Sequence, residues 1–412
     1  MRDRMPDIDW RLVVLGVAAG VLAIGIAALA FGLGADEEGP AQRARVADLR
    51  EVPPTAAARG AVDGSEATPV LPYVAKPVAE LADDLTLECK VGQLFLLGFA
   101  GQDTAAPIFA RLAELGVGGI VIDDVNYSYA DQLALLAGEA RAVAEREGHV
   151  APWVLAPQEG GDFNAFPDLP PATAAADVTS GAQAFEESEL AARTLGPLGI
   201  GGVLAPVADV APPDGAALGA RAYSAEPREV ATYAAAVVDA YRGAGIFTAA
   251  GHFPGLGSGT QDTRLAVSQV ASSLEALRRH DLIPFRAAVR AGVPAIVVSN
   301  ALYVTDDFVT PGTLSRAITT TLLRHELRFG GVAITDDLAD PAVTALSSIP
   351  DAAVDAVQAG ADLLYISGPE EAQLAAYDAV LAAVRDGRID GARLAQALLR
   401  NLATKYDYGL VE

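Results

Sequence analysis

Eight short apolar runs alternate with amphipathic helical stretches from residue 91 to residue 367, and this alternation constrains the fold more than any other feature. The runs are VGQLFLLGF (91–99), VGGIVI (117–122), WVLAP (153–157), GGVLAPVADV (201–210), IFTAAG (246–251), AIVVSN (295–300), GVAITDD (331–337) and LLYIS (363–367). Stretches such as ADQLALLAGEARAVAERE, PREVATYAAAVVDAYRGAG and SRAITTTLLRHELRFG separate them with helical periodicity. Strands joined through helices pair in parallel, so eight such units predict an α/β fold of the (β/α)8 barrel type, with its active site at the C-terminal strand ends. An open doubly wound sheet is the alternative. No glycine-rich dinucleotide fingerprint follows the first run to support it.

The barrel makes a check possible. Polar residues end successive runs: Gln158 and Glu159, Asp209, His252, Asn300, then Asp336 and Asp337. Any one of them reads equally well as a helix cap or a rim hydrogen bond. Their coincidence is more than capping requires, and it predicts one shared mouth. Residues 251–264, GHFPGLGSGTQDTR, have neither helical nor strand periodicity and form a long structured loop after the fifth run. Loops of this kind usually carry function.

The N-terminus has a different character. LVVLGVAAGVLAIGIAALAFGLGA, Leu12 to Ala35, contains no charged residue and is long enough to span a bilayer as a helix. Arg2, Arg4 and Arg11 precede it and Asp36, Glu37 and Glu38 follow, so the positive-inside rule puts residues 1–11 in the cytoplasm and the rest outside. This predicts a single-pass plasma-membrane protein with residues 12–35 as signal-anchor. A secreted form cleaved after ALA at 28–30 is the alternative. An Ala/Pro-rich linker is expected over 36–83 and the barrel over 84–412. A net charge of −24 argues against a nucleic-acid partner, and the single cysteine, Cys89, excludes an internal disulfide. The four histidines, at 149, 252, 280 and 325, lack metal-ligand spacing, and no nucleotide motif occurs, so no cofactor is expected.

Several segments, in order, resemble the N-terminal barrel of glycoside hydrolase family 3, in particular its single-domain bacterial β-N-acetylglucosaminidases. They include LTLECKVGQLFLLGFAG, QEGG, LAPVADV, ARAYS, HFPGLG, LIPFRAAVRAGVPAIVVSNALY, PGTLS and LLRHELRFGGVAITDDL, and the likeness runs from about Leu85 to Leu410. The resemblance implies a retaining mechanism in which a carboxylate attacks the anomeric carbon and a second group moves the proton. It assigns the nucleophile to Asp336 and the acid/base pair to Asp262 and Arg264, the latter standing where the family has His. A guanidinium keeps its proton at any working pH and cannot serve in that role.

The same resemblance assigns sugar contacts to Glu159, Asp209, Arg221, His252 and Asn300. Several of the family's polar positions are changed: its Asp before QEGG is Pro157, two Arg positions are Asp162 and Ala165, the Lys before His252 is Gly251, and the His of the sixth strand is Asn300. Retained are Asp209, Arg221 and His252. The expectation is therefore a membrane-anchored, catalytically impaired barrel that binds a glycan or peptidoglycan fragment. Left open beside it are an active retaining β-N-acetylhexosaminidase using Asp336, and an altered specificity in which Arg264 meets an anionic substrate. Oligomeric state is not legible in the sequence.

The uncharged run makes one expectation directly testable: the full-length protein partitions with membranes after alkaline extraction. A freely secreted form with its mature N-terminus near Phe31 would contradict it.

Overall fold

The computed structural model describes residues 74–304 and 308–412, and over them the chain is a closed (β/α)8 barrel. Its strands are β1 (Phe95–Leu97), β2 (Gly119–Val121), β3 (Trp153–Ala156), β4 (Gly202–Val203), β5 (Phe247–Phe253), β6 (Ala295–Val298), β7 (Val332–Thr335) and β8 (Leu364–Ile366). Neighbours pair in parallel in chain order, β8 returns to β1 in the register Phe95↔Leu364, and a bridge between Ile334 and Leu363 closes the ring at β7. The open-sheet alternative is thereby excluded. The expected membrane span at 12–35 lies outside the described residues. Among those described, no helix is long and apolar enough to cross a membrane.

Side-chain alternation builds the barrel from these short strands. Trp153 and Leu155, Phe247 and Ala249, Ala295 and Val297, and Val332 and Ile334 fall two residues apart, so each pair points to the same side and together they fill the barrel interior. Their neighbours, such as Val154, Ala250, Ile296 and Ala333, face the surrounding helices. Glycine is required at two places: a Cβ on Gly119 would come 2.6 Å from Trp153 Cβ, and one on Gly202 would come 2.7 Å from Phe247 Cβ. The absent side chains leave room for the Trp153 and Phe247 rings, whose centroids are 4.5 Å apart.

The N-terminal end of the barrel is sealed. The helix Gly391–Asp407 and the residues after it lie across that end, with Tyr408 5.9 Å from both Trp153 and Phe247. Buried polar groups there are matched. Trp153 Nε1 donates to Asn401 Oδ1 at 2.9 Å, and Lys405 Nζ donates to Gln93 Oε1 and the Ala151 carbonyl, both at 2.8 Å. Asp362, fully buried before β8, accepts from Arg324, from Arg393 at 2.7 Å and from Arg400 at 3.2 Å. Burial alone would raise its pKa, but the guanidiniums outweigh it and hold the carboxyl below its ordinary range. Only the C-terminal end of the barrel is left for a site.

Two expectations shift. The linker predicted to reach Asp83 ends earlier, because Lys76–Asp84 is a helix whose Val78 and Ala82 are buried among Leu398, Leu399, Leu402 and Ala403. Pro77 helped the segment read as linker, yet proline suits the first turn of a helix, where no N–H is needed. The first run also divides: Leu87–Gly92 is helical, with Thr86 capping through Cys89 N–H at 3.2 Å, and only Phe95–Leu97 pairs as strand.

Candidate active site

One buried carboxylate organises the loop after β5. Asp209, beyond β4 and fully buried, accepts His252 N–H at 2.9 Å and His252 Nδ1 at 2.7 Å on Oδ2, and Leu256 N–H at 2.6 Å on Oδ1. Both the imidazole and the start of the loop are thus fixed from beneath. Arg221 Nη2 lies 3.4 Å from His252 Nε2. A guanidinium can only donate, so the Nε2 lone pair faces Arg221 and the proton sits on Nδ1 toward Asp209. Burial works against a charged imidazole, but the Asp209 charge and hydrogen bond outweigh it and raise the His252 pKa.

Arg221 is carried on the short turn Gly219–Arg221 and forms a two-pronged pair with Glu159: Nε to Oε2 and Nη2 to Oε1, both at 2.7 Å. The Glu159 side chain is only 10% exposed. Burial would raise its pKa, yet Arg221 holds it below the usual carboxylate range. Gln158, next to it, is structural. Its amide donates to the carbonyls of Phe166, Leu169 and Pro170 and its oxygen accepts Phe166 N–H.

A cavity of about 420 Å³ opens among the C-terminal strand ends, and Glu159, Arg221, His252, Arg264 and Asp336 line it. So do Pro157, Asp162, Ala165 and Gly251, the positions where polar groups were expected to have been lost. Asp336 directly follows β7. Its N–H donates to the Val298 carbonyl at 2.9 Å and its Oδ1 accepts Asp337 N–H at 3.1 Å. Among the described residues no side chain donates to this carboxylate, which leaves it free to meet a ligand.

Asp262 and Arg264 are committed to each other. Arg264 Nη2 donates to Asp262 Oδ2 at 2.6 Å and Nε to the same oxygen at 3.0 Å, while Arg264 N–H binds Oδ1 at 2.9 Å. Against the effect of burial, these bonds keep the Asp262 carboxyl below its ordinary pKa. The pair is a carboxylate and a guanidinium at neutral pH, and neither partner has a proton to exchange.

Two residues expected on the wall stand behind it. Asp209 is covered by His252, and Asn300 is fully buried with its Nδ2 donating to the Asp337 carbonyl at 2.7 Å. They shape the wall without reaching the cavity. Asp262 likewise acts through Arg264, which it faces. The sequence reading missed Asp123 and Asp124 after β2, Asp340, and Tyr365 and Ser367 at β8, all of which line the cavity. The doublet in VIDD ends its strand as ITDD does, and was a usable signal for the first two. Burial raises the pKa of Asp123. For Asp340, burial and then the charges of Asp336 and Asp337 push the carboxyl up to about 9. Among the described residues no group of three or more His, Cys, Asp or Glu side chains is placed to hold a metal ion.

Comparison with known proteins places the barrel in a family. The model of the glycosyl hydrolase family 3 N-terminal domain matches residues 86–403. The chain belongs to glycoside hydrolase family 3. A β-hexosaminidase from Xylella fastidiosa strain 9a5c is 31% identical over 288 residues, which cover 67% of this chain and 84% of the relative. Among solved structures, a β-N-acetylglucosaminidase from Paenibacillus sp. FPU-7 superposes with a TM-score of 0.75 at 33% identity, covering 79% of this chain and 63% of that one. A β-N-acetylhexosaminidase from Beutenbergia cavernae gives a TM-score of 0.71 at 30% identity and is covered over 99% of its length. The match thus covers nearly all of the Beutenbergia protein and less than two thirds of the Paenibacillus protein.

The Arg221–Glu159 pair yields a pH test. In the wild type the depressed Glu159 pKa contributes stability above its unfolded value of 4.5, and that contribution is lost as pH falls through the folded pKa. In Arg221→Met the buried carboxylate has no partner, its pKa rises above 4.5, and stability falls as pH rises through the new value. The variant is expected to be about 3–5 kcal/mol less stable than wild type at pH 7, with a much smaller deficit at pH 4, by urea unfolding. A deficit independent of pH would show that the pair carries no such coupling.

Proposed function

We propose that this protein is a retaining glycoside hydrolase of the β-hexosaminidase type, in which Asp336 attacks the anomeric carbon and a glycosyl-enzyme is then hydrolysed. The observation that carries this reading is Asp336 itself: it follows the seventh strand, opens on the cavity and, among the described residues, accepts only a backbone N–H. A carboxylate held by several donors would be a poor nucleophile. Arg221, fixed by Glu159, and His252, fixed by Asp209, supply rigid polar edges for sugar hydroxyls. Pro157, Ala165 and Gly251 supply none, so the sugar is held by fewer polar contacts, each worth about 1.5–3 kcal/mol when charge-assisted. The reading accordingly includes relaxed selection among β-linked hexosaminides and low affinity for any one of them.

A second reading, a glycan-binding barrel with impaired catalysis, is favoured by the Asp262–Arg264 pair, which holds no transferable proton. Under either reading the uncharged run at 12–35 supports anchoring, with the barrel outside the membrane and glycans or peptidoglycan fragments as partners.

Hydrolysis of dinitrophenyl β-N-acetylglucosaminide separates the two, since that leaving group needs little proton assistance. The enzyme reading expects turnover that falls at least about 10³-fold in Asp336→Asn. Absence of turnover, with glycan binding retained by the wild type, would favour the binding reading.

A further inference from the structure

Departure of an ordinary sugar or alcohol requires a proton, and the Asp262–Arg264 pair has none to give. Asp340 lies on the same cavity wall and is only 8% exposed. It precedes the short helix Pro341–Thr344 without capping it through its side chain, so the carboxyl is not consumed locally. Its one side-chain partner among the described residues is Asn300, whose Nδ2 lies 3.4 Å from Oδ2. Asp336 is four residues earlier in the same loop and lines the same cavity. The segment that begins with Asp340 also meets the loop carrying the expected acid/base position, since Ala342 N–H donates to the carbonyl of Thr263, the residue between Asp262 and Arg264, at 3.2 Å. Asp340 thus shares a cavity with the nucleophile position and with Arg264.

The charges around it favour a protonated carboxyl. Burial comes first, followed by the negative charges of Asp336 and Asp337, with a smaller contribution of the same sign from Asp262; the Asn300 amide works the other way. With its pKa pushed up to about 9, the group carries its proton at neutral pH.

We propose that Asp340 is the acid/base of this active site, in place of the residue pair on the β5 loop. The proposal rests on Asp336 being the nucleophile. In the first half-reaction an Asp336 oxygen bonds to the anomeric carbon as the bond from that carbon to the leaving oxygen breaks. The electron pair stays on that oxygen, which takes the Asp340 proton. In the second, water attacks the anomeric carbon and gives a proton to the Asp340 carboxylate. The ester bond breaks and its electron pair returns to Asp336.

The test compares full-length wild type, Asp340→Asn and Asp336→Asn on aryl β-N-acetylglucosaminides, from dinitrophenyl to phenyl, with and without azide. For Asp340→Asn, kcat/KM is expected to fall about 10²–10⁴-fold for phenyl and only a few-fold for dinitrophenyl. Azide should restore dinitrophenyl turnover and release the β-glycosyl azide, and the basic limb of the kcat/KM profile near pH 9 should disappear. An equal loss on every substrate, with no azide product and an unchanged basic limb, would overturn the role of Asp340 alone. If the wild type has no dinitrophenyl turnover, or Asp336→Asn retains it, the nucleophile reading fails and the proposal with it. Asp340→Ser takes the place of Asp340→Asn if the latter does not fold, with the same outcomes.

Discussion

The seal across the N-terminal end of the barrel is the constraint on which the remaining architecture depends. Trp153, Phe247 and Tyr408 stack there, and the charges brought down with them are matched: Asp362 by three arginines, Lys405 by Gln93 and Ala151. A buried ion left unpartnered would cost several kcal/mol, so the matching is a condition for packing the helix Gly391–Asp407 against this end. With that end closed, strand polarity directs the loops after β3, β4, β5 and β7 to the other, and the cavity forms where they meet.

Charge balance then determines what the cavity can do. Its two guanidiniums, Arg221 and Arg264, are each committed to a carboxylate of the protein, Glu159 and Asp262. Arg221 still feels the charge of Asp336, but among the described residues neither guanidinium hydrogen-bonds to Asp336, Asp337 or Asp340, which stand in one loop at the end of β7. Three ionised groups in one partly buried loop are unfavourable, and at Asp340 burial comes first and the charges of Asp336 and Asp337 add to it. With Arg264 where the resemblance expects histidine, the proposed proton donor is Asp340, whose segment meets the β5 loop through Ala342 N–H and the Thr263 carbonyl. Burial, and then the charges of Asp336 and Asp337, oppose ionisation of Asp340.

Much of this was legible in the sequence. The short apolar runs separated by helical stretches carried the barrel, and the strand-end positions of Glu159, His252 and Asp336 carried the wall of the site. Asp209 and Asn300 were read as contacts with a ligand because a strand-end position does not distinguish a side chain facing the cavity from one turned to a neighbouring loop. Their partners, His252 and the Asp337 carbonyl, lie 43 and 37 residues away in sequence. Asp340 escaped notice for a related reason. Nothing local marks a carboxyl as neutral; its state depends on Asp336, Asp337 and burial together, which only the folded loop supplies. The helix Lys76–Asp84 was hidden by its composition, since its two buried residues take their meaning from Leu398 and Leu402 more than three hundred positions later.

The proposed reaction turns on a covalent bond from Asp336 to the sugar. It is tested most directly by incubating the protein with 5-fluoro-N-acetylglucosaminyl fluoride, whose ring fluorine slows hydrolysis of the glycosyl-enzyme, and mapping the adduct by peptide mass spectrometry. The account predicts one equivalent of fluorosugar esterified to Asp336, absent from Asp336→Asn. Labelling at another carboxylate, or equal labelling of wild type and variant, would contradict it.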